Sequence, residues 1–188
     1  MVNLKGIVFL TGHPGVGKTT VLLNAVETLK RRGFSVGGMV SREAREGGTR
    51  VGFRITDLET GTEGWLAHVR QPQGPKVGKY TVCLEDLESV GVAAILNAVK
   101  QADVTVIDEV GPMELSSKAF KNGVTEVLNS GKIVLGTIHH RAWDPLIEAI
   151  RRRDDTKIIE VTVENRERLG ELIAQEVSES LITIHRKG

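Results

Sequence analysis

Near the start of the chain, Gly12-His13-Pro14-Gly15-Val16-Gly17-Lys18-Thr19 satisfies the pattern G-x-x-x-x-G-K-[ST] in full. The chemistry this pattern serves is the holding of a polyphosphate. Several negative charges must be gathered by backbone N–H groups, so the chain has to wrap the anion closely. Glycine at 12, 15 and 17 permits that approach and the positive φ angles it needs. Lys18 can reach the β- and γ-phosphates, and the Thr19 hydroxyl can ligate Mg²⁺. A helix starting near Lys18 would aim its N-terminal N–H groups and dipole at the same anion. His13, Pro14 and Val16 fill the free positions of the loop, with His13 expected to touch the nucleotide, and Thr20 follows directly.

A second chemical signal is Asp108-Glu109, delivered by the apolar run Val104-Thr105-Val106-Ile107. The C-terminal end of a strand in a parallel α/β sheet is where ligands bind. Asp108 is expected to hold Mg²⁺, and Glu109 to orient or deprotonate a water attacking the γ-phosphate. A glutamate directly after the metal-binding aspartate favours a sheet in which a further strand, Ile133 to Thr137, lies between the phosphate-loop strand and the acidic one. The end of that strand, Gly136-Thr137-Ile138-His139-His140, would then face the γ-phosphate. Thr137, His139 and His140 are candidate sensors, although a solvated loop is an equal reading of the two histidines. Positive charge for a transition state can come from Arg42, Arg45, Arg50 or Arg141.

The elements that must position these groups are legible as periodicities. Gly6 to Thr11 reads as a buried strand, Lys18 to Arg31 as an amphipathic helix, and Ser35 to Val40 as a second strand. Val51, Phe53 and Ile55 then alternate with Gly52, Arg54 and Thr56. Flanked by turn signals at Gly47-Gly48 and Glu59 to Gly61, they predict a β-hairpin insertion over about residues 45–82. Gln71 to Pro75 reads as a loop. Helical periodicity returns at Asp86 to Lys100 and around Phe120, Val124, Val127 and Leu128, with Lys132 to Thr137 as a strand. Asp144-Pro145 marks a helix entry; Leu146, Ile147 and Ile150 form the stripe behind it. Ile158 to Val163 reads as the last strand. Leu169, Leu172, Ile173 and Val177 are expected to face inward from the last helix. The pattern is that of one α/β domain spanning residues 1–188, with a mostly parallel sheet flanked by helices.

Composition narrows the function classes. The 188 residues are 40% hydrophobic and 26% charged with a net charge of +1, which leaves no general electrostatic footprint for nucleic acid or an anionic membrane. The lone Cys83 excludes an intrachain disulfide and reads as a small apolar side chain in or near the core. The apolar run Ile7 to Leu10 is too short for a secretory signal, and no stretch approaches the roughly 20 apolar residues of a membrane span. A cytoplasmic monomer without nucleic-acid or membrane partners is the expectation.

Several stretches together resemble the THEP1-type nucleoside-triphosphatases, which include the cancer-related nucleoside-triphosphatase of animals. They are TGHPGVGKTT at Thr11 to Thr20, VGFRI at Val51 to Ile55, VGKYTV at Val77 to Val82, VIDEVGPMEL at Val106 to Leu115, GTI at Gly136 to Ile138 and VTVENR at Val161 to Arg166. The resemblance implies a RecA-like P-loop fold and slow Mg²⁺-dependent hydrolysis of ATP, GTP, CTP and UTP to diphosphate and phosphate, with little base selectivity. It implies that the nucleotide is held by Gly12 to Thr19 and around Asp108 and Glu109. Two departures stand out: Ser41-Arg42-Glu43-Ala44-Arg45 replaces Thr-Glu-Glu-Val-Arg of some members, and Pro112 stands where some carry lysine. Two other readings fit a phosphate loop: a small-molecule kinase with the β insertion as acceptor site, and a nucleotide-dependent switch. A guanine-specific switch is disfavoured, because the sequence has no Asn-Lys-x-Asp.

Overall fold

A computed structural model describes residues 6–185. Strand β1 (Ile7–Thr11) leads through the glycine loop into α1 (Lys18–Arg31). Next come β2 (Val36–Glu46), β3 (Thr49–Asp57), β4 (Glu63–His68), β5 (Lys76–Val77) and β6 (Tyr80–Val82). A continuous helical stretch follows, made of α2 (Leu84–Asp86), a π-helical segment (Leu87–Val92) and α3 (Ala93–Gln101). The rest alternates: β7 (Val104–Val110), α4 (Lys118–Leu128), β8 (Ile133–Ile138), α5 (Pro145–Arg152), β9 (Thr156–Glu160) and α6 (Arg166–His185).

All of these strands belong to one nine-stranded sheet in the order β5-β6-β4-β3-β2-β7-β8-β1-β9. From β2 to β9 the neighbours are parallel, and β8 lies between β1 and β7, as the Asp-Glu pair predicts. From β3 outward the pairing is antiparallel. Strand β2 joins the two regimes. Val36 to Met39 pair with β7, and the strand then runs on through Glu46 as one arm of the hairpin with β3.

Both faces of the parallel part are covered, so β1 is apolar at every buried position. Ile7 and Phe9 join one core, with Ile95 of α3, Phe120 of α4 and Ile147 of α5. Val8 and Leu10 join the other, with Leu22 of α1 and Ile173 of α6. Alternation along a strand sends successive side chains to opposite faces, which is how one strand feeds two cores. The entry to α5 has the expected chemistry, since the Asp144 carboxylate accepts from Leu146 N–H and Pro145 opens the helix.

Four expectations need correction. The second strand does not stop at Val40, because pairing with β3 imposes extended backbone on a polar run that carries no strand periodicity. The π segment departs from the 3.6-residue repeat. The last strand ends at Glu160 rather than Val163. There Asn165 takes over the backbone, accepting from Thr162 N–H at 2.9 Å and donating to Glu160 O at 2.8 Å, and Val163 is left 64% exposed. Finally, Leu172 is 54% exposed, whereas Leu169, Ile173, Val177 and Leu181 are buried with Ala174 between them. The inward stripe follows the side of α6 that meets α1, and Leu172 is off it.

These burials make a paired test. Phe9→Ala is expected to cost about 3–5 kcal/mol, while Leu172→Ala should change stability by less than about 1 kcal/mol. Urea unfolding of both variants measures the contrast; equal losses would contradict the packing.

Candidate nucleotide site

The C-terminal ends of β1, β8 and β7 bring the two chemical signals together. The loop after β1 has left-handed backbone at Gly12, Gly15 and Gly17, with φ of 142°, 78° and 108°. Gly12 is also required by space, since a Cβ there would lie 2.7 Å from the Val161 carbonyl oxygen. Lys18 opens α1 and donates from Nζ to Gly12 O at 3.2 Å. The same ammonium lies 3.6 Å from Glu109 Oε2.

Asp108 is the most enclosed acid of the pair, at 1% exposure. Thr19 Oγ1 donates to its Oδ2 at 2.9 Å, and Thr137 Oγ1 donates to its Oδ1. Three segments distant in sequence therefore meet on one carboxylate. Burial pushes the Asp108 carboxyl up to about 6, against the two hydroxyl hydrogen bonds. Burial likewise raises Glu109, opposed by the charge of Lys18. The peptide bond joining the two acids is cis.

Other parts of the reading are redistributed. Thr137 is fully buried and its hydroxyl donates to Asp108, so it supports the acid. His139 and His140 do line the cavity. His139 Nδ1 accepts from the N–H groups of Arg141 and Ala142, at 3.2 and 3.0 Å. Its pKa is lowered by burial and then by the charge of Lys18. A neutral ring with Nδ1 so engaged carries its proton on Nε2. His13 lies against His140 with ring centroids 4.5 Å apart and the ring planes tilted by 41°. Thr20 is exposed on the first turn of α1, outside the cavity lining.

Of the four candidate arginines, Arg42 and Arg50 line the cavity, while Arg45 and Arg141 do not. Arg45 is held by Glu43 at 2.9 Å. Arg50 is held by the same carboxylate at 2.6 Å and donates to Tyr80 Oη at 2.8 Å.

Glu114 is the residue that sequence reasoning passed over except as part of a motif. It is 4% exposed and lines the cavity. Burial pushes its carboxyl up to about 8, the charge of Glu109 adding to the shift. The two acids bracket Gly111, where a Cβ would lie 2.8 Å from Glu109 Oε1 and 3.3 Å from Glu114 Oε2. The available signal was a carboxylate set between apolar Met113 and Leu115.

The donor set suits Mg²⁺. Thr19 and Asp108 offer adjacent hard oxygens, leaving the remaining positions of an octahedron to phosphate and water, the arrangement Mg²⁺ favours. No cluster of three or more His, Cys, Asp or Glu able to hold a metal by itself occurs among the described residues, and a phosphate-assisted site needs none.

The sequence profile of the NTPase family matches residues 7–174. The chain belongs to this nucleoside-triphosphatase family. It is 52% identical over 170 residues to the nucleoside-triphosphatase THEP1 of Thermofilum pendens, covering 90% of this chain and 93% of that one. The THEP1 protein of Methanocaldococcus jannaschii is 45% identical over 170 residues, covering 90% and 96%. Among solved structures, THEP1 from Aquifex aeolicus superposes with a TM-score of 0.79 at 34% identity, covering 89% of this chain and 96% of that one. A human cancer-related nucleoside triphosphatase superposes with a TM-score of 0.77 at 41% identity, covering 92% and 97%. The P-loop fold of the THEP1 family is therefore the fold of this chain.

The buried acids set a pH dependence in the nucleotide-free protein. Asp108 and Glu114 have folded pKa values of about 6 and about 8, above the ordinary carboxylate range. At these two groups the folded state binds more protons than the unfolded one, so their contribution to stability falls as pH rises from roughly 4 to roughly 8. Glu114→Gln is expected to flatten part of that slope, stabilising the protein by on the order of a few kcal/mol near pH 8 and by little near pH 4. Urea melts at the two pH values measure it; an unchanged slope would mean that Glu114 carries no such penalty.

Proposed function

We propose that this chain hydrolyses nucleoside triphosphates, ATP, GTP, CTP and UTP among them, to the diphosphate and phosphate in a Mg²⁺-dependent reaction. The observation that carries the reading is the 2.9 Å hydrogen bond between Thr19 and Asp108, with Lys18 Nζ 3.6 Å from Glu109. It unites the phosphate loop and the acidic strand end in one cavity. Membership of the nucleoside-triphosphatase family agrees with it.

In this reading the polyphosphate lies on Gly12 to Thr20, with loop N–H groups and Lys18 meeting its oxygens. Thr19 and Asp108 would hold Mg²⁺, which supplies charge neutralisation at the terminal phosphate oxygens when bound. Lys18 leaves the Glu109 carboxylate for the phosphate, freeing that carboxylate to orient a water. Glu109 takes the water's proton as the oxygen bonds to the γ-phosphorus and the bond to the β–γ bridging oxygen breaks, the diphosphate leaving with the electron pair. The raised pKa of Glu109 makes it a better base than an exposed glutamate. His139, neutral and carrying its proton on Nε2, can donate to a phosphate oxygen without adding a charge. Low base selectivity follows from a loop that binds phosphate through backbone N–H groups. Every residue in this scheme comes from one chain, so a monomer suffices.

Lys18→Ala is expected to abolish triphosphate binding or turnover. Glu109→Gln should keep binding while lowering kcat by roughly 10² or more; an unchanged rate would remove Glu109 from the role of base. Thr19→Ala and Asp108→Asn should raise the Mg²⁺ concentration required, and a flat titration would exclude them from the metal shell. Steady-state phosphate release from the four triphosphates and one diphosphate, with and without Mg²⁺, tests substrate range and metal dependence together.

A further inference from the structure

Phosphoryl transfer asks little covalent chemistry of a protein; its transition state is stabilised by positive charge at the oxygens of the transferred group. Lys18 supplies one such charge, and Pro112 brings none to the cavity it lines. Two arginines also line that cavity, Arg42 and Arg50. Arg50 is neutralised by Glu43 at 2.6 Å and tied to Tyr80 Oη at 2.8 Å. Arg42 is exposed, and among the described residues none hydrogen-bonds or ion-pairs with its guanidinium.

The sheet puts this unpaired cation beside the acids. Strand β2 runs parallel to β7 with Met39 level with Ile107. Carried on, that register sets Arg42 one strand spacing sideways, about 5 Å, and about 7 Å further along than Asp108. The face is the right one as well. Val36 and Val40 belong to the core under α1, so alternation turns Arg42 to the α1 side. Asp108 follows Val104 and Val106 to that same side, where it meets Thr19 of α1. The neighbour on the other flank sets a direction. Arg42 is directly opposite Arg54 of β3, a like-charge pair that is unfavourable when the side chains approach. Arg54 is occupied by Trp65 of β4, its guanidinium carbon 4.2 Å from a ring centroid. With Arg54 held toward β4, repulsion favours Arg42 leaning the opposite way, toward β7 and the phosphate loop. The residue is a departure of this chain, since Thr-Glu-Glu-Val-Arg of some members has glutamate at that place.

We infer that Arg42 is a catalytic residue, its guanidinium donating to the γ-phosphate oxygens and to the β–γ bridging oxygen as charge builds there. The inference rests on the reading that the terminal phosphate sits between Lys18 and Glu109. Water's oxygen bonds to the γ-phosphorus, its proton passes to Glu109, and the diphosphate leaves with the electrons of the broken bond. Arg42 gives up no proton and forms no covalent bond. Its planar fork of N–H donors can meet two oxygens at once, which a lysine ammonium does less well.

The test compares phosphate release from ATP and Mg²⁺ by the wild-type chain, Arg42→Ala and Arg42→Lys, with Arg70→Ala removing an equal charge from the same insertion outside the cavity. Arg42→Ala is expected to lower kcat roughly 10³-fold, the lower end of what such an arginine contributes. KM for ATP and the affinity for ADP should change far less. Affinity for ADP with aluminium fluoride, a mimic of the transferring phosphoryl group, should fall with kcat. Arg42→Lys should recover part of the rate, added guanidinium ion should rescue Arg42→Ala where equal sodium does not, and Arg70→Ala should turn over like the wild type. Wild-type kcat in Arg42→Ala overturns the inference and leaves hydrolysis standing. A rate lost together with ADP affinity, restored by neither lysine nor guanidinium, gives Arg42 a structural role and overturns it equally. No phosphate release from the wild-type chain brings down the underlying reading as well.

Discussion

A carboxylate sealed from solvent must be met by donors or by a cation, since an uncompensated buried charge costs several kcal/mol. Asp108 is in that position, and both of its oxygens are met by hydroxyls, one from the first turn of α1 and one from the end of β8. Those two bonds require β8 to lie between β1 and β7, with Thr137 level with Leu10 on one side and Gly136 level with Ile107 on the other. Strand order, register and the position of the phosphate loop are thereby tied to a single acid. Burial still outweighs those two bonds, and the Asp108 carboxyl stays above the ordinary range.

The site has two sides of different character, and the sheet explains why. On the β1 and β8 side, parallel strands buried on both faces carry the glycine loop and Lys18. On the β2 side the sheet turns antiparallel, and the extension of β2 beyond Met39 carries Ser41, Arg42 and Glu43 past the acidic strand end into the cavity. Glu43 there organises the wall by accepting from both Arg45 and Arg50, and their guanidinium groups hold its carboxyl below the usual range, Arg50 first. These ion pairs are solvent-exposed and contribute little to stability. Their consequence is to commit Arg45 and Arg50, whereas Arg42 has no ion pair among the described residues.

Residues whose type carries its own reason were legible without coordinates. Glycines needing left-handed backbone, a lysine and threonine opening a helix, and two acids after an apolar strand announce their chemistry locally. Helix α1 and the cap at Asp144 were legible for the same reason, because each satisfies its own backbone groups. The polar tail of β2 was not, since its strand character comes from β3 alone. Leu172 misled because a leucine in a helix signals burial only when the facing element is known, and here α1 lies against Leu169, Ile173 and Val177.

The sequence by itself determined a glycine loop with the chemistry to wrap a polyphosphate and two adjacent carboxylates at a strand end, because both are written in runs of a few adjacent residues. Tertiary structure alone decided that Thr137 would support Asp108, that Glu114 would be buried beside Glu109, and that Arg45 and Arg50 would share the carboxylate of Glu43. These outcomes depend on which distant segments the sheet order makes neighbours. Burial, ion pairing and proton affinity are properties of that shared environment, which no single stretch of chain contains.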